Sequence, residues 1–402
     1  MHCTRKIMDD LFWIGGNDKR LALFENIHPI PEGTSYNSYI LKDGKNVLFD
    51  TVDWDISRMF LDNLEYILDG ESLDYIVINH VEPDHCASLN LITDKYPDAT
   101  VLCTKKAVSM LKQYNLRAGN ITEVKEGDVI NTGNHELTFL MAPMVHWPEA
   151  MMTFDTKCGV LFSADAFGSF GALDGRIFAD ELDYKCKFEE YARRYYTNIV
   201  GKFGPQVQKT LKKAGEHEIK YICPLHGLVF RREEDIAYIL DKYNKWSTYE
   251  PEEKGVLICY ASMYGNTEEA ANILAALLCE KGMTNYELCD VSNVHVSRLI
   301  SSAFKYSHMA LLSVTYNNKV FPVMQSFIDD MQALNLQNRV VGICENGSWA
   351  PQAGSLIRKQ IEEMKNMTIL EEQASILSAI KQDDYDRIEA LADAFVASIK
   401  ED

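Results

Sequence analysis

The sequence lacks any uninterrupted apolar run of the roughly 18 residues that a membrane-spanning helix requires. It also lacks a signal-peptide start, because Asp9 and Asp10 interrupt the segment where such a peptide is apolar. Positive charge is scarce, with 40 Lys and Arg against 59 Asp and Glu and a net charge of -19. We therefore expect a cytoplasmic protein that binds neither nucleic acid nor a membrane surface.

The ten cysteines include no pair with CxxC spacing. This absence excludes a zinc ribbon, a rubredoxin-type iron site and a thioredoxin-like redox pair within this chain. Most of the cysteines lie in apolar runs such as VLICY and VVGIC, where a free Cys is a small buried hydrophobe. We expect reduced, buried thiols.

The 402 residues are too many for one hydrophobic core, and the polar stretch WSTYEPEEKG at 246–255 has the composition of a linker. We predict domains at 1–250 and 251–402. After the linker, apolar strands alternate with helical segments, which predicts a doubly wound parallel sheet with strands at 256–261, 285–290, 309–314, 339–344 and 368–376. Before it, short strands that end in His or Asp predict an α/β sandwich with polar residues gathered at one edge.

A cluster of metal-ligand residues follows the apolar strand YIVI, in the segment NHVEPDH. Four potential ligands lie within six residues there: His80, Glu82, Asp84 and His85. His146, Asp165 and His226 each follow a later apolar run beside Pro or Gly. Three carboxylates and a bridging hydroxide would offset the charge of two divalent ions, and mixed imidazole and carboxylate ligation suits iron in both oxidation states.

Residues 1 to about 250 resemble the metallo-β-lactamase fold, an αββα sandwich whose zinc motif is His-x-His-x-Asp-His followed by a His, an Asp and a His. Glu82 stands where that motif has its second His, and this substitution is similar to the flavodiiron proteins. The resemblance implies two iron atoms per chain. One would be held by His80, Glu82 and His146, the other by Asp84, His85 and His226, with Asp165 as the bridge. In some members of the family the residue matching His85 is displaced from the metal.

Other polar residues are weaker candidates. His28 lies in a segment that lines the diiron pocket in relatives, and it is a candidate for proton delivery. Tyr195 and Tyr196 are both candidates for the same pocket, and the sequence does not choose between them. Asp50 ends the strand VLFDT and is expected to shape a turn or support the ligands. The remaining histidines are expected to be surface or structural residues: His2, His135, His217, His295 and His308.

A phosphate-binding loop follows the strand VLICYA and precedes a helix. It comprises Ser262, Met263, Tyr264, Gly265, Asn266 and Thr267. Backbone N–H groups, hydroxyls and the helix dipole can surround a phosphate there without Lys or Arg. The loop matches neither the Gly-x-x-x-x-Gly-Lys pattern of nucleotide triphosphatases nor Gly-x-Gly-x-x-Gly. It resembles the flavodoxin loop Thr/Ser-x-x-Gly-Asn-Thr, which implies FMN.

Two further loops are predicted at the carboxyl edge of the same sheet, where open parallel sheets bind ligands. The first comprises Thr315, Tyr316, Asn317 and Asn318, and the second Asn346, Gly347, Ser348 and Trp349. We expect Trp349 to stack on the flavin, with Tyr316 as a second candidate.

A diiron pair and an FMN can each store two electrons, which together match a four-electron reaction. The resemblance implies a flavodiiron oxidoreductase that reduces O2 to water or NO to N2O. It also implies a head-to-tail homodimer, or a dimer of such dimers, and an external donor such as rubredoxin or, in some relatives, a reduced deazaflavin coenzyme. Because the sequence ends at the flavodoxin-like region, it is similar to the simplest class of the family. Two alternatives stay open: a zinc-dependent hydrolase and a non-enzymatic FMN electron carrier. The sequence does not choose between O2 and NO.

Overall fold

The structure is a computed structural model that describes residues 1–117 and 119–401. The chain separates into two compact units, Met1–Asn244 and Lys245–Asp402. No helix in the described part of the chain is both long and apolar enough to cross a membrane.

The first unit is built from short strands. They are β1 (Arg5–Lys6), β2 (Leu11–Trp13), β3 (Gly16–Asp18), β4 (Leu23–Phe24), β5 (His28–Pro29), β6 (Thr34–Tyr36), β7 (Tyr39–Leu41), β8 (Val47–Phe49), β9 (Tyr75–Val77), β10 (Thr100–Thr104), β11 (Asn120–Val124), β12 (Val129–Asn131), β13 (Glu136–Met141), β14 (Met151–Asp155), β15 (Val160–Phe162) and β16 (Tyr221–Cys223).

Helices connect these strands. They are α1 (Ser57–Leu68), α2 (Pro83–Cys86), α3 (Leu89–Lys95), α4 (Lys105–Gln113), α5 (Tyr184–Lys187), α6 (Glu189–Tyr195), α7 (Gly204–Ala214) and α8 (Glu233–Thr248). Short 3-10 turns occur at Trp54–Ile56, Ala179–Glu181 and Gly201–Phe203, and a π-helical turn at Tyr196–Val200. Helix α1 is amphipathic because Phe60, Leu64 and Leu68 recur every four residues and are buried.

Two mixed sheets face each other in this unit. One has the strand order β1-β2-β7-β8-β9-β10-β11 and the other β12-β13-β14-β15-β16. The ring of Phe49 on β8 stacks on that of Phe162 on β15, with centroids 3.7 Å apart, so the core lies between the sheets. Helix α4 packs on β10 and β11 of one sheet, and α7 on β13 of the other. The predicted αββα sandwich is confirmed.

The second unit contains one parallel sheet. Its strands are β17 (Glu253–Ala261), β18 (Tyr286–Asp290), β19 (Tyr306–Tyr316), β20 (Lys319–Val320), β21 (Val340–Asn346) and β22 (Thr368–Ile376). Its helices are α9 (Asn266–Glu280), α10 (Val296–Lys305), α11 (Pro322–Ala333), α12 (Ala353–Glu362) and α13 (Gln382–Glu401). The parallel strands run in the order β18-β17-β19-β21-β22, and β20 pairs antiparallel with β19.

This strand order is that of flavodoxin-like sheets, in which the order reverses between the first and third strands. Here that reversal falls between β17 and β19, so the loops that follow these strands border a crevice. Helices α9 and α13 pack together over one face, where Leu274, Leu278, Leu391 and Phe395 join a buried apolar cluster. The predicted doubly wound sheet is confirmed.

The cysteines depart in part from the expectation that they are buried. All ten are free thiols. Six are buried, but Cys3, Cys186 and Cys279 are exposed and Cys158 is half-buried. Cys3 lies near the start of the chain, Cys186 in the short helix α5 and Cys279 near the end of α9. The side chains at these three positions face solvent.

Candidate metal centre and flavin site

The seven side chains predicted as metal ligands converge on two adjacent groups in the first unit. The first group is His80, Glu82, His146 and Asp165, and the second is Asp84, His85 and His226. Within each group, one potential ligand atom from every member lies within 4.8 Å of the others. Residues from four separate loops therefore form one polar centre.

Asp165 lies between the two groups and turns one carboxylate oxygen toward each. Its Oδ2 atom is 3.3 Å from Nε2 of His80 and 3.0 Å from Nε2 of His146. Its Oδ1 atom is 3.2 Å from Nε2 of His85 and 3.8 Å from Nε2 of His226. A carboxylate with one oxygen toward each group can bridge two metal ions.

Each group also has a carboxylate of its own from the NHVEPDH segment. The Oε2 atom of Glu82 lies 3.1 Å from Nε2 of both imidazoles in the first group. The Oδ2 atom of Asp84 lies 3.3 Å and 3.2 Å from the Nε2 atoms of the two imidazoles in the second group. Both groups thus contain two imidazoles, one carboxylate of their own and one oxygen of the shared carboxylate.

Strand ends explain why these residues meet. Residues 80–85 follow β9, Asp165 follows β15 and His226 follows β16, all at the same edge of the sandwich. Pro83 occupies the first position of α2, which starts the helix directly after Glu82 and turns the chain so that alternate polar residues face the centre.

Asp50 holds the metal-binding loop from behind. Its carboxylate is buried at the end of β8 and accepts hydrogen bonds from the backbone N–H and the side-chain amide of Asn79 and from the backbone N–H of His80, at 2.7, 2.8 and 3.2 Å. Burial raises the pKa of Asp50 to about 6, against the lowering effect of these donors. The expectation of a supporting residue agrees with this placement.

The His226 loop is held by strand β6. Nδ1 of His226 lies 2.7 Å from the carbonyl oxygen of Ser35, and the Asn37 amide donates to the carbonyls of Pro224 and Gly227. Gly227 has a φ of 75°, and a Cβ there would lie 2.1 Å from Oγ of Ser169, so only glycine fits. The imidazole is thereby aimed with Nε2 at the centre.

Carboxylates and imidazoles perturb one another strongly at this centre. Burial disfavours the protonated form of His146, yet the carboxylates of Asp165 and Glu82 raise its pKa to about 9. The pKa of His85 is also about 9, because Asp84 and Asp165 outweigh its burial. Although burial acts to raise the pKa of Asp165, the surrounding imidazoles hold it well below its ordinary value. A metal cation can replace the shared protons at such a site.

Buried polar atoms at the centre support this fit. Among the described residues, both carboxylate oxygens of Asp84, Oδ1 of Asp165, and Nε2 of His85 and of His226 form no hydrogen bond. A buried polar atom without a partner costs about 1–3 kcal/mol. Two cations that prefer nitrogen and oxygen ligands would satisfy all of these atoms, and the residues therefore fit a diiron pair.

The three residues predicted to line the metal pocket, Tyr195, Tyr196 and His28, have different neighbours. Tyr195 adjoins the centre, with its ring centroid 5.4 Å from that of His226. The ring of Tyr196 instead packs on Tyr243 at 4.9 Å. His28 is nearly buried, and its Nε2 atom lies 3.8 Å from Oε2 of Glu25.

Two further carboxylates were not identified from the sequence. Glu25, in the turn between β4 and β5, contacts Glu82, and its pKa is raised to about 7 by burial and then by that neighbouring carboxylate. Glu149 contacts His80, with Oε1 2.8 Å from Nδ1 of the imidazole. The only sequence signal for Glu149 is its place three residues after His146, and Glu25 has none.

The second unit contains a cavity of about 610 Å³ at the carboxyl edge of its sheet. Its lining includes every predicted flavin-site residue except Gly265: Ser262, Met263, Tyr264, Asn266, Thr267, Thr315, Tyr316, Asn317, Asn318, Asn346, Gly347, Ser348 and Trp349. Val314, Ala350 and Ser378 also line it and were not predicted. Ser378 follows β22, and it exchanges hydrogen bonds with Asn346.

The loop after β17 has the geometry of a phosphate site. Gly265, with a φ of 93°, is the N-cap of α9 and offers no side chain to the first N–H groups of this helix. Its own N–H donates to Oγ of Ser262 at 3.1 Å. No Lys or Arg is among the residues that line the cavity. The helix N-terminus and the hydroxyls therefore supply the favourable field for a phosphate.

Aromatic side chains stand at the rim of this cavity. Trp349 and Tyr264 are each 88% exposed, and Tyr316 is 39% exposed. Large exposed aromatic groups beside a cavity are suited to stacking on a planar ligand. The volume, the phosphate loop and these rings together fit FMN.

The remaining histidines make local contacts away from both sites. His2 stacks on Tyr66, His217 packs on Phe154, His295 caps α10, and His308 bonds Ser307 and Ser398. His135 is buried between two carboxylates, Asp155 at 2.5 Å and Asp10 at 2.9 Å. Cys158 lies close enough to His135 and Asp155 to form a third small group.

Comparisons with known proteins agree with this architecture. Residues 34–227 match the family described as ODP family beta lactamase. The anaerobic nitric oxide reductase flavorubredoxin of Aeromonas hydrophila is 32% identical over 362 residues, which cover 88% of this chain and 72% of that protein. The flavorubredoxin of Escherichia coli is 30% identical over 365 residues, covering 89% and 75%.

Solved structures share the whole fold. The rubredoxin oxygen:oxidoreductase of Desulfovibrio gigas superposes with a TM-score of 0.92 at 25% identity, covering 99% of each chain. A mutant flavodiiron protein of Thermotoga maritima superposes with a TM-score of 0.90 at 24% identity, covering 98% of each chain.

The chain combines an αββα sandwich, which contains a centre of imidazoles and carboxylates, with a flavodoxin-like unit. This combination defines a class of two-domain proteins that bind a flavin and metal ions. With relatives 30–32% identical over most of its length, the chain belongs to the flavodiiron protein family. The resemblance inferred from the sequence is confirmed. Proteins of this family carry FMN and a diiron site, and the residues of both sites fit these groups.

Proposed function

We propose that this protein is an oxidoreductase that reduces O2 to water or NO to N2O at a diiron site, with electrons delivered through FMN. Residues 1–250 are assigned as the diiron domain and residues 251–402 as the FMN domain. The observation that carries the proposal is Asp165, whose two oxygens face two separate groups of imidazoles and carboxylates. Family membership adds support, since relatives are named as NO reductases or as an oxygen oxidoreductase.

When bound, a diiron pair supplies two electrons by passing from the divalent to the trivalent state, and FMN supplies two more. The residues of this chain would keep that pair together and charge-balanced. Glu82 and Asp84 each belong to one group, and Asp165 turns one carboxylate oxygen toward each group. Oxygen ligands stabilise the trivalent state, and Glu82 adds one where a hydrolase of this fold has an imidazole.

The pocket above the centre would control access and protons. Phe24 packs edge-on to His226 with ring centroids 5.4 Å apart, and Tyr195 closes a neighbouring side. These apolar rings would limit the access of water to the centre. We assign His28, beside Glu25, to proton delivery into this pocket, because both product waters and N2O formation consume protons.

A homodimer, head to tail, would bring the FMN of one copy to the diiron site of the other. The hairpin of β4 and β5 favours this, because Phe24 packs on His226 of the centre while Ile27 on the same turn is 56% exposed. The aromatic rim with Trp349 offers the complementary apolar surface on the partner copy. We further propose a cytoplasmic location and rubredoxin as the external donor, with reduced deazaflavin as the alternative donor.

The direct test is anaerobic reduction of the protein followed by rapid mixing with O2 and, separately, with NO. We expect flavin reoxidation coupled to water or N2O formation, with no hydrogen peroxide accumulating from O2. The Glu82→Ala variant should keep its FMN and lose this rapid reoxidation. Rapid turnover in that variant, or none with either gas in the unmodified protein, would refute the proposal.

A further inference from the structure

The two groups of the metal centre differ in the hydrogen-bond partners of the imidazole Nδ1 atoms, which point away from the centre. Nδ1 of His80, in the first group, lies 2.8 Å from the carboxylate of Glu149. Nδ1 of His226, in the second group, lies 2.7 Å from the carbonyl oxygen of Ser35, which is uncharged. Nδ1 of His85 forms no hydrogen bond within the described part of the chain.

Glu149 is fixed in position by burial and by its donors. Its side chain is 0% exposed. Oε1 accepts from the backbone N–H of Val81 at 3.0 Å as well as facing the His80 imidazole. Oε2 is buried and forms no hydrogen bond with any described residue. The one oxygen that is held by donors therefore points at the imidazole, and rotation of the carboxylate would break both contacts.

The loop after β13 connects this contact to the centre. It carries His146, a member of the first group, and Glu149 three residues later. One short segment thus supplies both a member of the group and the carboxylate behind another member, His80. No comparable carboxylate lies behind either imidazole of the second group among the hydrogen bonds of the described residues.

A carboxylate on Nδ1–H has two effects on an imidazole. It fixes the tautomer with the proton on Nδ1, which leaves Nε2 free to bind a metal, and it increases the electron density on Nε2. A neutral carbonyl fixes the tautomer but donates less charge. A metal bound by the first group would therefore be held more tightly and would favour the trivalent state more.

We propose that Glu149 is a positioning residue that holds Nε2 of His80 toward Glu82, His146 and Asp165 and makes this group the tighter-binding and more easily oxidised of the two metal positions. The inference rests on the proposed ligation by His80. The inference ranks the two positions in two ways. Metal should be lost first from the position formed by Asp84, His85 and His226. The metal at the other position should be oxidised first.

Cobalt binding tests the affinity difference without relying on catalysis. The metal-depleted full-length protein is equilibrated with buffered Co2+, and bound Co2+ is counted after rapid desalting. We expect two phases in the unmodified protein. Glu149→Ala should weaken the tighter phase by about 10- to 100-fold and leave the weaker phase in place. Glu149→Gln should weaken it less, because the amide oxygen still accepts from Nδ1–H of His80.

The control is Asp180→Asn, since Asp180 is a carboxylate of the same unit that pairs with Arg231 and Arg232 and belongs to none of the groups of potential metal ligands. This variant should keep both Co2+ phases. A second readout is the redox titration of the iron-loaded protein by electron paramagnetic resonance. Both Glu149 variants should shift the first oxidation to a higher potential, including the Gln variant in which the imidazole is still held.

An unchanged tighter phase in Glu149→Ala, or equal weakening of both phases, would overturn the inference. So would an unchanged first potential in both variants. Failure of the proposed function would look different: the unmodified protein would reduce neither gas, while the Co2+ phases would still report whether Glu149 strengthens one position.

Discussion

Nε2 of His146 lies 3.0 Å from Oδ2 of Asp165, although the two residues belong to loops that follow different strands. Strands β13, β14 and β15 are neighbours in one sheet, so their register sets this distance. The sheet that buries the core of the first unit therefore also fixes the spacing between the bridging carboxylate and an imidazole of the centre.

Replacement of Asp165 by Ala should remove the bridge. Mutation of a residue that only supports a metal ligand already lowers metal affinity by about 10- to 100-fold. We therefore expect loss of the bridging carboxylate to lower metal affinity by more than about 100-fold and to abolish gas reduction. FMN content should not change, since the cavity lies in the other unit. Metal analysis and flavin absorbance measure both. Asp180→Ala is the control, because Asp180 is a carboxylate of the same unit that pairs with Arg231 and Arg232 and not with an imidazole of the centre.

Asp50 should matter for stability and for metal content together. In Asp50→Ala, the donors of Asn79 and His80 lose their buried acceptor, which should lower the free energy of unfolding by about 2–4 kcal/mol. Asp50→Asn keeps an acceptor oxygen and should recover part of the stability. Chemical denaturation of the metal-free protein measures this. Equal stability of the Ala variant and the unmodified protein would contradict the supporting role.

Trp349 should contribute to FMN binding without contributing to the fold. Its side chain is 88% exposed, so Trp349→Ala should leave the melting temperature unchanged. Loss of one stacking contact worth about 0.5–1.5 kcal/mol predicts FMN binding weaker by about 2- to 12-fold. Fluorescence titration of the FMN-free protein is suitable. Tyr66→Ala, another exposed aromatic change, should not alter FMN affinity, and unaltered affinity in Trp349→Ala would show that the ring does not stack on the flavin.

The His135 pair should make stability depend on pH. Its hydrogen bond to Asp155, together with that to Asp10, raises the pKa of His135 to about 9 from an ordinary value of 6.5. A group with a raised pKa stabilises the folded state fully below its unfolded pKa, and this contribution is lost as the pH rises from 6.5 through 9. Asp43, which accepts from the backbone N–H of His135, and Cys158 also face this group.

The measurement is the melting temperature of the unmodified protein and of His135→Asn across this range. The difference between the two should be large near pH 6 and should shrink by pH 9.5. At acid pH the pair depends on Asp155. Burial acts to raise the pKa of Asp155, but the hydrogen bond with His135 outweighs burial and lowers this pKa below 3.8. The pair is therefore lost only below that pH. A difference that stays constant between pH 6 and 9.5 would contradict the charged pair.

Residues that are close in sequence could be assigned to the metal centre before the structure was known. His80, Glu82, Asp84 and His85 lie in one strand-end loop, and their spacing alone brings them together. The alternation of strands and helices likewise predicted the parallel sheet of the second unit, because its periodic pattern is long and regular.

Contacts between distant residues could not be predicted in this way. Glu149 is 69 positions from His80, and Glu25 reaches the centre from an unrelated hairpin. Tyr195 and Tyr196 are adjacent and of one type, so only packing in the helical segment decides which ring adjoins His226. Ser378 lines the flavin cavity because β22 ends beside β21, which no local pattern indicates.

Metal and flavin analysis of the purified, unmodified protein tests the central claim most directly. The account predicts two iron atoms and one FMN per chain, with iron that cycles between the divalent and trivalent states on reduction and exposure to O2 or NO. Zinc in place of iron would instead indicate a hydrolase, and FMN without metal would indicate an electron carrier. Either result would contradict a diiron reductase.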